Sequence, residues 1–207
     1  MNFPTLKDLE VSRFLDSYSS YISKGLNSVD SLEFENIAKL LNETIVQERN
    51  IFCCGNGGSA AISEHFVCDF LKGTATDATI QPLIHSLTSN IPTITALAND
   101  ISYDDIFSFQ LKRYAKEGDT LLCVSSSGNS PNIVKAIEVA NEHSINTISF
   151  VGFQGGKAKS LADHSIHINI NNYGIVEDIH HSLMHMLSQY IRLINLEEGK
   201  DIEKIVI

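Results

Sequence analysis

Apolar positions along this chain alternate between two periods. Thr120-Leu121-Leu122-Cys123-Val124 is a short apolar run, whereas Ile133, Val134, Ala136, Ile137 and Ala140 recur at helical spacing, so the polar stretch Ser125 to Asn132 is a strand-to-helix turn. Ile51-Phe52-Cys53-Cys54 is a second apolar run, followed by Gly55-Asn56-Gly57-Gly58-Ser59 and another helical segment. From residue 50 onward the pattern predicts strands at Ile51–Cys54, Thr93–Ala98, Thr120–Val124, Thr147–Val151 and Ser165–Ile170. Helices are predicted at Ala60–Leu71, Asp105–Tyr114, Ile133–His143, Gly156–Ala162 and Val176–Leu196. Strands alternating with helices argue for a parallel sheet covered on both faces, with ligands beyond the carboxyl ends of the strands. Both polar turns lie at that end.

Ahead of this core, Leu6 to Glu48 reads as two helices. Leu9, Phe14, Leu15, Tyr18 and Ile22 form an apolar stripe in the first, and Leu32, Ile37, Leu40, Leu41 and Ile45 form one in the second. Such an arm either packs on a neighbouring subunit or covers its own sheet, and oligomerisation is the favoured expectation. With 207 residues the chain reads as one domain, an arm over 1–48 and an α/β core over 49–207.

The serine turn is suited to anions. Hydroxyls and a glycine stand where a helix N-terminus presents unpaired N–H groups and the positive end of its dipole, which suits a phosphate. Plain helix capping is the competing use of such serines, and the recurrence of a second polar turn favours the phosphate. The glycine turn matches neither the Walker A pattern nor GxGxxG, which argues against a nucleotide. Acidic residues outnumber basic ones, 25 to 15, and the formal charge of −10 opposes nucleic-acid binding. The same charge does not steer a sugar phosphate, so a phosphate site must rely on local donors. No segment has the roughly 20 apolar residues of a membrane span, and no export signal opens the chain, so a cytoplasmic protein without membrane partners is expected. Cys53, Cys54, Cys68 and Cys123 form no zinc-type CxxC pair and are expected as buried, reduced thiols.

Two constellations carry candidate chemistry. His65 and Asp69 are spaced i, i+4 on one helix; on the last helix Glu177, His181 and His185 repeat at i, i+4 and i+8, with Asp178 and His180 alongside. Two imidazoles with one or two carboxylates suit a borderline divalent ion such as zinc, and the same groups suit acid and base roles across a substrate. His85, His143, His164 and His167 lack such neighbours and are expected to be structural or at the surface.

These motifs, in this order, resemble the sugar isomerase (SIS) domain family, and within it the sedoheptulose 7-phosphate isomerases, also called phosphoheptose isomerases. The likeness rests on Cys54-Gly55-Asn56-Gly57-Gly58-Ser59, His65-Phe66, Ala98-Asn99-Asp100, Gly118-Asp119, Ser125 to Ser130, and Glu177-Asp178-Ile179-His180 with His185. It implies a flavodoxin-like three-layer sandwich with a five-stranded parallel sheet, and a homotetramer whose active sites lie between subunits. By position it implies a phosphate loop of Ser125, Ser126, Ser127 and Ser130. Sugar contacts are implied for Asn56, Gly57, Gly58, Ser59, Asn99 and Asp100, and metal-binding positions for His65, Asp69, Glu177 and His185, with zinc as the expected ion. The resemblance also carries departures: Asp69 stands where glutamate is usual, Glu177 where glutamine is usual, and Gly174 where many relatives have aspartate. Aspartate reaches one methylene less far, enough to misplace a base, and Glu177 adds a negative charge beside the site.

The function so implied is aldose–ketose isomerisation of sedoheptulose 7-phosphate to a manno-heptose 7-phosphate, feeding heptose to a surface polysaccharide. Asp69, or Glu177 if Asp69 is too short, is the expected base and His185 the acid, with the serine loop anchoring the phosphate. The competing readings are an isomerase of another phosphosugar and a noncatalytic protein-binding module. Retention of both His65 and His185 speaks against the module.

Overall fold

The computed structural model describes residues 3–5 and 9–200. Leu6, where the first helix was predicted to begin, and the tail Ile205-Val206-Ile207 lie outside the described residues. Five strands, β1 (Asn50–Gly55), β2 (Leu83–Ser86), β3 (Thr120–Ser125), β4 (Asn146–Val151) and β5 (His164–His167), form one parallel sheet in the order β2-β1-β3-β4-β5. The central strand β3 is buried at every position, which is why it reads as an unbroken apolar run rather than as an alternation.

Helices cover both faces. On one side lie α1 (Val11–Asn27), α2 (Ser31–Val46), α3 (Gly58–Cys68) and the last helix, whose inner residues Ile175, Val176, Ile179, Leu183 and Leu187 share a core with Ile51, Leu122, Ile148 and Phe150 of the sheet. On the other side α4 (Ile91–Asp100), α5 (Ser108–Tyr114), α6 (Pro131–Glu142) and α7 (Gly156–Leu161) pack on Phe52, Cys54, Leu121 and Cys123. The last helix, α8, runs from Tyr173 to Ile194 and ends the sandwich. This is the three-layer architecture with five parallel strands that the alternation and the resemblance imply.

One predicted strand is a helix. Thr93–Ala98 lies inside α4, because Asn90 caps the helix by accepting from the Thr93 N–H at 3.0 Å and Pro92 sits in its first turn, where no donor is lost. Its Ile94, Leu97 and Ala98 follow helical rather than strand spacing in facing the core. The missing strand is β2, an edge element of four residues whose core contribution is Ile84. The predicted helix Ala60–Leu71 also divides: α3 stops at Cys68 and a π-helical turn covers Asp69–Thr74. Cys68 is exposed, contrary to the expectation for the four thiols, whereas Cys53, Cys54 and Cys123 are buried and free.

Candidate active site

Strand β3 delivers the serine turn to the carboxyl end of the sheet. Ser125 and Ser126 are buried there, and the Ser126 hydroxyl has no hydrogen-bond partner among the described residues. The Gly128 N–H donates to the Ser125 hydroxyl at 3.2 Å, and the Asn129 N–H to that of Ser127 at 3.2 Å, which curls the loop around its own hydroxyls. Gly128 is obligatory: its φ is +63°, and a Cβ would lie 1.9 Å from the Gly155 carbonyl oxygen in the loop after β4. Ser130 precedes Pro131 as the N-cap of α6, yet its hydroxyl makes no capping bond.

Strand β1 delivers the second turn. Asn56 and Asn132 exchange two amide hydrogen bonds of 2.9 Å, tying the glycine turn to the first turn of α6, and Tyr103 donates to the Asn56 amide oxygen at 3.1 Å. Gly57 caps α3 with φ +56°. At Gly58 a Cβ would meet the Glu177 carboxylate at 2.2 Å, so the absence of a side chain lets α8 lay that carboxylate on the N-terminus of α3.

Between the two turns lies a cavity of about 120 Å³, lined by Asn56, Ser59, Ser125, Ser126, Ser127, Ser130, Tyr173 and Glu177. It has room for a phosphoryl group and opens to solvent. Burial, followed by the neighbouring charge of Asp178, holds the Glu177 carboxyl above the ordinary glutamate value. Asn99 and Asp100 do not line this cavity; they are exposed at the end of α4, where the Asn99 amide donates to Asp100 at 2.8 Å.

Two further turns of α8 carry the histidines. Helix rise places His181 about 6 Å and His185 about 12 Å along the axis from Glu177. His181 Nε2 lies 2.6 Å from His65 Nδ1 on α3, and His185 Nδ1 lies 2.7 Å from the Asp69 carboxylate, which also meets His65 Nε2 at 3.3 Å and the Ser188 hydroxyl at 3.4 Å. The nitrogens that His65, His181 and His185 offer lie within 4.8 Å of one another, a donor set that fits a divalent cation. The His181 pKa is lowered, first by burial and then by His65 and His185. Asp69 and His185 also line a larger cavity, of about 370 Å³, with Lys72 and Arg192.

The residues singled out from the sequence therefore form two adjoining groups, the serine cavity with Glu177 and the imidazole cluster with Asp69. Asp69 and Glu177 were expected in the metal set beside His65 and His185, but among the described residues the cluster is His65, His181 and His185, with Asp69 in contact with two of its rings. Tyr173 and Asn132 complete the first group and were not singled out. Asn132 carried a local signal, as a polar residue just after the serine turn, but Tyr173 is recognisable only once α8 is docked.

A family profile described as the SIS domain matches residues 13–152. The probable phosphoheptose isomerase of Thermoplasma acidophilum is 35% identical over 178 residues, which are 83% of this chain and 95% of the relative. The solved phosphoheptose isomerase of Neisseria gonorrhoeae superposes with a TM-score of 0.79 at 26% identity, over 90% of this chain and 98% of that one. That of Francisella tularensis gives 0.82 at 25% identity, over 88% and 96%.

Proposed function

The chain belongs to the SIS domain family, and on that premise we propose that it is a phosphoheptose isomerase, interconverting sedoheptulose 7-phosphate and a manno-heptose 7-phosphate. The observation that carries the reading is a cavity lined by five serines and one carboxylate, with two of the three clustered imidazoles on the same helix as the carboxylate. The serines and the α6 N-terminus take the phosphate, so that remote binding energy fixes the other end of the sugar.

Isomerisation requires a base at the carbon beside the carbonyl and an acid for the oxygens of the enediol. Glu177 is the base in this proposal. It lines the serine cavity, whereas Asp69 is occupied by hydrogen bonds to His185, His65 and Ser188. His185, held by Asp69 through Nδ1 at 2.7 Å, is the acid, a role it would yield to a cation bound at its other nitrogen. His65 and His185 are common to the expected metal set and the observed cluster, and they would hold a divalent cation, zinc by the preference of imidazole nitrogen. Bound there, the ion would supply Lewis-acid chemistry at the sugar carbonyl.

The remaining parts of the proposal follow the family. Residues 1–48 serve as the arm of a single SIS domain, four copies assemble into a homotetramer with sites between subunits, and the product supplies heptose to a surface polysaccharide. No helix among the described residues is long and apolar enough to cross a membrane. A cytoplasmic setting belongs to the same proposal. Purified protein incubated with sedoheptulose 7-phosphate, with zinc and with a chelator, is expected to yield an aldose 7-phosphate by chromatography. Absence of any aldose product in every condition overturns the reading.

A further inference from the structure

Three imidazoles converge on one point with a carboxylate behind two of them. We propose that His181 is the third ligand of a divalent-cation site whose ligands are His65 Nδ1, His181 Nε2 and His185 Nε2, and that Asp69 and Glu177 stand outside the ligand set. Asp69 orients the rings in this arrangement; Glu177 belongs to the neighbouring cavity. The inference rests on the reading of this site as a cation site, and not on the identity of the reaction.

The nitrogen assignments follow from what is already engaged. Asp69 holds Nδ1 of His185 at 2.7 Å and Nε2 of His65 at 3.3 Å, which turns the opposite nitrogen of each ring toward the cluster. His65 Nδ1 indeed faces His181 Nε2, at 2.6 Å. In a tetrahedral site with metal–nitrogen bonds of about 2.05 Å, ligand nitrogens lie about 3.3 Å apart. The observed span, from 2.6 Å to within 4.8 Å, brackets that value, so side-chain rotation alone could close the site. The rings are arranged for this: those of His181 and His185 lie one turn apart on α8 and nearly parallel, at 18°, while His65 stands at 86° to both.

A carboxylate that accepts from the distal nitrogen of a metal-bound histidine fixes its tautomer and strengthens it as a ligand. Asp69 makes that contact to two of the three rings at once. It is one methylene shorter than glutamate and begins the π-helical turn, where the backbone departs from the α3 path. Glu177 lies on Gly58 and lines the serine cavity, one turn from His181 toward the phosphate end. Three neutral imidazoles leave a fourth position open and select for zinc or cobalt over magnesium.

The test is made on the full-length chain, with zinc affinity read by competition with a chromogenic chelator and the coordination read from the visible spectrum of the cobalt-loaded protein. Wild type is expected to bind one zinc per chain and to give an intense four-coordinate cobalt spectrum. His181→Asn and His181→Gln should each weaken zinc at least 100-fold, and Asp69→Asn should weaken it 10- to 100-fold with the cobalt spectrum retaining its four-coordinate form. Glu177→Gln should change affinity less than threefold. The proposal is overturned if wild type binds no zinc, if both His181 variants bind as wild type does while melting normally, or if Glu177→Gln weakens zinc as much as they do. Turnover of sedoheptulose 7-phosphate by the same wild-type preparation separates the two readings. Turnover without zinc binding defeats this inference alone, and zinc binding without turnover defeats the isomerase alone.

Discussion

At the scale of single residues, two carboxylates compete for the role of base, and their surroundings separate them. Asp69 is shared among His65, His185 and Ser188, so taking a substrate proton would disrupt the bonds that orient the acid. Glu177 has no such obligation, and burial followed by Asp178 raises its pKa. A base must be ionised to act, so activity is lost as pH falls through that raised value. The acid limb of kcat/KM against pH is therefore expected above the ordinary glutamate value of about 4.3, and Asp178→Asn should move it to lower pH. Glu177→Gln should lower turnover by about 10²- to 10⁴-fold. The same shift has a stability sign. A carboxyl that protonates more readily folded than unfolded favours the native state at low pH, and that contribution is lost as pH rises, so at neutral pH the glutamine variant should melt no lower than wild type.

At the scale of elements, α8 sorts its histidines by face. His181 and His185 point to the cluster, while His180, singled out from the sequence as part of the same chemistry-rich stretch, is fully buried, 5.9 Å from the Phe150 ring. Neither of its ring nitrogens has a hydrogen-bond partner among the described residues, and burial pushes its pKa down to about 4, with the Val151 backbone acting weakly the other way. The unfolded chain, with an ordinary histidine value of 6.5, binds the proton more readily. Stability from this group is therefore complete above pH 6.5 and is lost as pH falls toward 4, by about 3 kcal/mol at 1.36 kcal/mol per pH unit. Urea midpoints measured between pH 4 and 7 should show this slope in wild type, and a markedly flatter one in His180→Met.

The same helix shows what was legible from sequence. Both turns were, because Gly55 to Ser59 and Ser125 to Pro131 carry local capping and turn chemistry that does not depend on the rest of the molecule. The histidine spacing of α8 was legible too, but not which residues of α3 it meets, since that is fixed by the packing of Phe66, Ile62 and Val176 in a common core. The reading of Thr93–Ala98 as a strand failed because a β-branched run outweighed the Asn90 cap and Pro92, signals that were present and local. Leu83–Ser86 was missed because an edge strand of four residues with one buried side chain has almost no period to detect.

At the scale of the whole molecule, the two cavities share α8, while Asn99 and Asp100, the other residues implied by the resemblance, stand exposed at the end of α4. Residues left outside the cavity of one chain are what an active site between subunits would gather. The arm offers the means of assembly: the stripe of α1 packs on α8 through Tyr18, whose hydroxyl donates to Asp178 at 2.6 Å, while Val11 and Leu15, on the same stripe nearer the start of the helix, remain 84% and 66% exposed. Apolar side chains so placed gain when a second copy covers them, by about 25 cal/mol for each Å² removed from water. Val11→Glu with Leu15→Glu is accordingly expected to convert a tetramer into smaller species in sedimentation velocity. Because α1 meets α8 through Tyr18 rather than through these two positions, each chain should remain folded by circular dichroism. Turnover should fall together with the tetramer and recover at protein concentrations that restore it; a dissociated variant with full activity would mean that each chain carries a complete site and that the sugar enters from the Lys72 and Arg192 side.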